Sequence, residues 1–204
     1  MTKRFDSITR FVLAVGASRR MGRDKTKLVL KHETFLARQV RLLRAVCRSV
    51  VVVGPINNFN GPAVRVIADV IPGCGPLGGI YSGLLQARTE YNLFVGFDMA
   101  FLTPRFLRFL AGHALASKCD MTVAESRHGR AQPLCRVDRR RAMAAIGLGL
   151  QAGNYKTSAL RHRVRCRALS WKEVAHVGFR PNLFTNLNTP EDYEAAKRDA
   201  GPAL

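Results

Sequence analysis

A chain of 204 residues, 47% hydrophobic and 23% charged, has the make-up of one globular domain with a sizeable core, which argues against a disordered or fibrous protein. Its charge is unusual: 33 Lys and Arg stand against 14 Asp and Glu, a net charge of +19 that favours anionic partners. Five widely spaced cysteines with no C-x-x-C pair argue against a disulfide framework or a zinc site, and no apolar run approaches a membrane span.

Phe11 to Val15 is an apolar run that reads as a buried strand of a parallel sheet. It leads into Gly16, Ala17, Ser18, Arg19, Arg20, Gly22 and Lys25. Small residues let the backbone approach a ligand and offer N–H groups to phosphate oxygens, and the cations that follow neutralise a polyphosphate. The spacing fits neither G-x-x-x-x-G-K-S/T nor G-x-G-x-x-G. Lys3, Arg4 and Arg10 precede the apolar stretch, but cleavage of so short a secretory segment would remove the strand that feeds the cradle. The expected location is the cytoplasm.

Further along, Leu28–Leu30 is a short apolar piece, and Thr34 caps a helix carrying Phe35, Leu36, Val40, Leu43 and Val46 at helical spacing. Val50–Val53 and Val64–Ile67 read as strands. Pro72 to Gly79 reads as a loop before a helix from about Ile80 to Arg88. Asn92–Phe97 is another strand, with Asp98 at its end, and Thr103-Pro104 opens the next helix. Strands follow at Met121–Ala124 and Pro133–Val137. Helices are expected over Arg139–Ile146, from Thr157, and from Thr189-Pro190, and Leu183–Leu187 reads as extended. Tyr155 and Trp171 read as packing residues.

Alternating strands and helices predict a doubly wound, mostly parallel α/β sheet in a single domain spanning 1–204, with ligands at the C-terminal ends of the strands. The loops after Val15, around Asp69 and at Asp98 open on that edge. From Arg127 to Arg167 there are eleven Lys or Arg and one acid, Asp138, yet Tyr155 is the only aromatic residue among them, which disfavours a nucleic-acid platform.

Several segments together resemble the molybdenum cofactor guanylyltransferases. Leu13-Ala-Val-Gly-Ala-Ser-Arg-Arg-Met-Gly-Arg-Asp-Lys25 is similar to their L-A-G-G-x-S-x-R-M-G-x-D-K opening, and Gly75-Pro-Leu-Gly-Gly-Ile80 to their G-P-L-x-G-I segment. Asp98-Met-Ala-Phe101, Gln132-Pro-Leu134 and Asn186-Leu-Asn-Thr-Pro-Glu-Asp192 resemble the later pieces. The resemblance implies a Rossmann-like nucleotidyltransferase that moves GMP from GTP to molybdopterin, with Mg²⁺ and release of pyrophosphate. A cytidylyltransferase, another nucleotidyltransferase of this fold and a non-catalytic binding paralogue are the alternatives.

By the same resemblance Arg20, Lys25 and Asp98 are catalytic and Asp98 holds the metal. Leu13, Ala14, Val15, Gly16, Lys25, Asp69 and Asp98 bind the nucleotide, and Gln132, Asn186 and Asn188 bind the pterin substrate. Molybdoenzymes or their chaperones are the implied downstream partners. Three departures stand out: Val15 for a glycine, Ala100 for a proline, and Gly54 where an asparagine is expected to contact the nucleotide.

Overall fold

The six residues of β1 (Ile8–Leu13) are buried on both faces, as a central strand of a parallel sheet requires. The computed structural model describes residues 7–15, 28–30, 32–46, 49–55 and 61–199. Around β1 lie β4 (Val50–Val53), β5 (Arg65–Ile67), β6 (Tyr91–Gly96), β7 (Met121–Glu125), β8 (Ala131–Arg139) and β9 (Cys166–Leu169), in the order β5-β4-β1-β6-β8-β7-β9. Only β8 runs against its neighbours in this sheet. A separate hairpin pairs β2 (Val29–Leu30) with β3 (Glu33–Thr34).

Side-chain alternation along the strands builds two apolar layers. Val12, Val52, Leu93 and Val95 face α1 (Phe35–Arg44), α3 (Pro104–Ser117), α5 (Trp171–His176) and α6 (Pro190–Asp199). Phe11, Leu13, Val51, Val53 and Phe94 face α2 (Gly75–Gln86) and α4 (Ala142–Gln151). The caps read from sequence are present: the Thr34 and Thr103 hydroxyls accept from the Ala37 and Phe106 N–H groups at 3.1 and 3.2 Å.

α2 begins at Gly75, well before the expected Ile80, because its glycines serve as packing surface. A Cβ on Gly83 would lie 2.7 Å from Phe94 Cε1 and 3.2 Å from Phe11 Cδ1, and these two rings are stacked with centroids 4.9 Å apart. The expected helix at Arg139 starts instead at Ala142, since β8 continues through the buried Arg136–Asp138 ion pair (2.8 Å) to Arg139. Thr157–His162 is a 3₁₀ helix, and so is Pro181–Phe184, which replaces the first part of the extended Leu183–Leu187 segment.

β9 and α5 lie outside the elements read from the sequence. β9 is a half-buried edge strand whose four-residue Cys-Arg-Ala-Leu sequence is too short to stand out, whereas α5 carries a readable capping box, Ser170 with Glu173. Trp171 packs against the first apolar layer, as expected, while Tyr155 is 48% exposed. Among the described residues no helix is long and apolar enough to cross a membrane.

The chain steps from β1 through β4 to β5 on one side, then returns to place β6 on the other side of β1. A crevice for a ligand forms where this order reverses, beyond the C-terminal ends of β1 and β6.

Candidate active site

Leu13 and Gly96 are register partners at the ends of β1 and β6, and the Phe97 N–H bonds the Leu13 carbonyl at 3.2 Å. Ala14 and Val15 therefore leave the sheet beside Asp98, so these four sequence-predicted residues share the switch-point crevice. Gly16, Arg20 and Lys25 lie outside the described residues.

One wall is set by close backbone approach. Ala14 donates its N–H to the Val53 carbonyl at 2.8 Å, and Gly54 donates to the Ile67 carbonyl at 3.0 Å. Gly54 has φ +144°, and a Cβ there would lie 2.5 Å from the Ala14 carbonyl oxygen. The position requires glycine, so the missing asparagine follows from how tightly β4 passes the end of β1. Val15 is half-buried and packs on the second turn of α2, where a Cβ on Gly79 would come within 2.9 Å of Val15 Cγ2. The valine is accommodated by Gly79.

Asp69 sits on the α2 flank. Its Oδ1 accepts from the Ile71 N–H at 3.1 Å and from the Ser82 hydroxyl at 2.9 Å. Ser82 Oγ in turn accepts from the Val70 N–H at 2.9 Å, so this network ties the loop after β5 to α2. Gly78 permits it, since a Cβ there would meet Asp69 Oδ2 at 3.1 Å and the Ile71 carbonyl at 2.8 Å.

Asp98 occupies the opposite flank, half-buried in the turn that follows β6. Two α1 side chains brace this turn: Gln39 Nε2 donates to the Met99 carbonyl at 2.6 Å and Arg38 Nε to the Ala100 carbonyl at 3.0 Å. These bonds hold the turn without the proline that Ala100 replaces. No motif marked Arg38 or Gln39; the helical face they share became meaningful only once α1 was docked.

The Leu187 N–H donates to the Asp98 backbone carbonyl at 3.1 Å, which brings Asn186 and Asn188 to the same flank. Asp192 Oδ2 accepts from the Asn188 and Thr189 N–H groups, each at 2.9 Å, and so fixes the entry to α6. The Asn186 Oδ1 atom is buried and has no hydrogen-bond partner among the described residues. A buried acceptor left open is a place for a ligand donor.

Gln132 lies on β8 beyond the end of β6, two residues before Leu134, whose Cβ would lie 3.4 Å from a Cβ on Gly96. Its Nε2 donates to the Arg130 carbonyl at 3.0 Å. It lines a cavity of about 470 Å³ with Arg127, His128, Arg130, Asn182 and Thr185, a volume in the range of small-molecule sites. No sequence motif marks Asn182 or Thr185, and Arg127 and Arg130 stand out in the sequence only as part of the basic stretch.

Among the described residues no group of three or more His, Cys, Asp or Glu side chains could hold an ion. Asp98 is a single hard carboxylate beside the crevice, and that donor set fits an ion sharing its shell with phosphate oxygens and water.

The pattern of the MobA-like NTP transferase domain matches residues 11–166. The molybdenum cofactor guanylyltransferase of Desulfosudis oleivorans is 32% identical over 197 residues, covering 94% of this chain and 95% of that protein. A probable molybdenum cofactor guanylyltransferase of Pelotomaculum thermopropionicum is 32% identical over 192 residues, covering 93% and 91%. Among solved structures, the molybdopterin-guanine dinucleotide biosynthesis protein A of Archaeoglobus fulgidus superposes with a TM-score of 0.80 at 19% identity, covering 94% of this chain and 98% of that one. The 2-C-methyl-D-erythritol 4-phosphate cytidylyltransferase of Thermus thermophilus shares the fold with a TM-score of 0.67 at 13% identity, covering 94% and 98%. The switch-point crevice and these likenesses lead to one conclusion: the chain belongs to the MobA-like NTP transferase family.

Proposed function

We propose that this protein transfers GMP from GTP to molybdopterin, giving the guanine dinucleotide cofactor and pyrophosphate. The observation that carries the reading is the Leu187–Asp98 bond. It joins the segment bearing Asn186 to the turn bearing Asp98, beside Leu13–Val15 at the switch point, so a nucleotide and an acceptor have room to meet at one edge.

The reaction joins an oxygen of the acceptor's phosphate to the α-phosphorus of GTP and breaks the bond to the β-phosphate. Little covalent work falls to the protein, so orientation and charge carry the rate. Leu13, Ala14 and Val15 form the wall against which the nucleoside lies. Asp69, anchored through Ser82, holds the α2 flank and keeps Oδ2 available for a nucleotide donor. In this reading Gly16, Arg20 and Lys25 cradle the triphosphate and stabilise the departing pyrophosphate.

Asp98 holds Mg²⁺, which supplies neutralisation of phosphate charge when bound with the nucleotide. Asn186 offers its open Oδ1 to an N–H of the pterin, Asn188 supports it from the start of α6, and Gln132 closes the cavity below. The same reading assigns the protein to the cytoplasm.

The test is pyrophosphate release by the purified protein with molybdopterin and Mg²⁺, run in parallel with GTP and CTP. Turnover with GTP supports the reading. Turnover with CTP alone replaces it by a cytidylyltransferase, and binding of either nucleotide without turnover replaces it by a binding protein.

A further inference from the structure

From Ala142 to Gln151 α4 carries no charged side chain, and Gln151 is its only polar one. A helix apolar all round is ordinarily buried. Ala142, Ile146 and Leu150 are indeed buried, but the opposite face is not. Ala144 is exposed, and Leu148, one turn on along the same face, has 65% of its surface in solvent. Among the described residues this apolar stripe has no partner.

Beside its first turn opens a cavity of about 520 Å³ between the start of α4 and the residues that precede β9. Ala142, Ala144, Ala145 and Val164 make its floor, and Arg141, Arg163 and Arg165 stand among its lining. One carboxylate organises two of these arginines. Asp120 Oδ1 accepts from Arg141 Nε, and Oδ2 accepts from the Arg165 N–H at 3.2 Å and lies 3.6 Å from Arg165 Nε. Because both guanidinium groups meet Asp120 through Nε, their terminal amino donors remain for another acceptor. Arg163 makes no ion pair among the described residues. Two guanidinium groups thus share one carboxylate, and Arg163, whose Nη1 would lie 3.6 Å from a Cβ on Gly149, adds a third positive charge to the lining together with the His162 imidazole.

The cavity lies where β7 and β9 begin, at the edge of the sheet opposite Asp98. We propose that the outer face of α4 and this arginine rim form a docking surface for an acidic protein segment. An apolar side chain of that segment rests on Ala144 and Leu148, and flanking carboxylates take Arg141, Arg163 and Arg165. A second copy of the chain fits poorly, because each copy carries +19 and a two-fold contact would set one arginine rim against the other. Nucleic acid fits poorly too: the floor is alkyl and the lining holds no aromatic ring apart from the His162 imidazole, so bases gain little by stacking there.

The test is fluorescence anisotropy with a labelled synthetic peptide in which glutamate pairs flank single leucines, alongside polyglutamate of equal charge and a short duplex DNA. The Glu–Leu peptide is expected to bind most tightly and to weaken with added salt. Leu148→Glu and Arg163→Glu should each raise its Kd by about tenfold or more, equivalent to about 1.4 kcal/mol. Both positions are exposed, and an unchanged circular dichroism spectrum and Tm would show that the variants fold. Turnover of GTP is expected to stay at the wild-type level in both, and a fall would overturn the separation of this face from the active edge. Equal binding by the variants, or polyglutamate binding as tightly as the Glu–Leu peptide, overturns the proposal. Tighter binding of the duplex would give the face to nucleic acid, and self-association abolished by Leu148→Glu would give it to a second copy.

Discussion

Gly54→Ala tests whether the nucleotide wall depends on a backbone approach that only glycine allows. At φ +144° an L-residue is held in a sparsely populated conformation, costing roughly 1–3 kcal/mol. The added Cβ would lie 2.5 Å from the Ala14 carbonyl oxygen and 2.9 Å from its carbon, both backbone atoms that cannot rotate away. Overpacking of this kind costs roughly a further 1–3 kcal/mol. Removing glycine's freedom from the unfolded chain returns about 0.4–1 kcal/mol. The expected net loss of stability is therefore about 1–5.6 kcal/mol, measured as the change in unfolding free energy from urea titration. Since the displaced carbonyl belongs to Ala14, nucleotide affinity should fall in the fraction that remains folded, as read by calorimetry with GTP. A stability change within about 0.5 kcal/mol, the usual range for a neutral surface substitution, would refute the close-approach argument. Gly54→Asn should behave like alanine and gain no affinity, although asparagine is the residue the family resemblance leads one to expect.

Asp98→Asn should lower magnesium-dependent turnover by roughly 10²–10³ while keeping the backbone bond to Leu187; wild-type turnover would remove Asp98 from the chemistry. Val15→Gly takes away the side chain packed on Gly79; because Gly79 already makes room for the valine, the Kd for GTP by calorimetry is expected to stay unchanged, and a lower Kd would show that the valine narrows the crevice. Arg136→Met strands the fully buried Asp138 carboxyl, whose pKa burial already raises, and should cost roughly 3–5 kcal/mol in urea unfolding, whereas Arg136→Met with Asp138→Leu should recover most of it. A single variant as stable as wild type would contradict this. Hydrogen bonds from Arg41 and Arg167 hold the Glu33 and Glu173 carboxyls below the usual carboxylate range. Their contribution is present above the unfolded glutamate value of about 4.3 and is lost as pH falls through the lower folded values. The urea midpoint should drop over that acid window, and a Glu33→Gln, Glu173→Gln variant should flatten the drop; an identical pH profile would refute it.

Much of the architecture could be read without coordinates because it rests on local rules. Five consecutive apolar residues from Phe11 to Val15 leave a strand little choice but burial on both faces, and Thr34 and Thr103 cap helices through bonds only three residues long. The motif residues of the crevice were legible for the same reason, as short segments of chain with characteristic chemistry. Elements without such signals passed unread, among them β9, whose pairing with β7 is decided by neighbours rather than by its own composition.

Folding alone decided the rest, since proximity across the chain has no trace in local spacing. The glycines of α2 resembled loop residues until Gly79 was found against Val15 and Gly83 against the stacked Phe11 and Phe94 rings. Asn186 joined Asp98 only through the Leu187 hydrogen bond, and the bracing of that turn by Arg38 and Gln39 depends on where α1 docks. The sequence by itself determined which residue types were on hand for the chemistry and which segments would be strands or capped helices. Only the tertiary structure brought Val15 and Asp98 to one crevice and left Leu148 exposed on the outer face of α4, because strand order and helix docking are settled by burial of the whole chain at once.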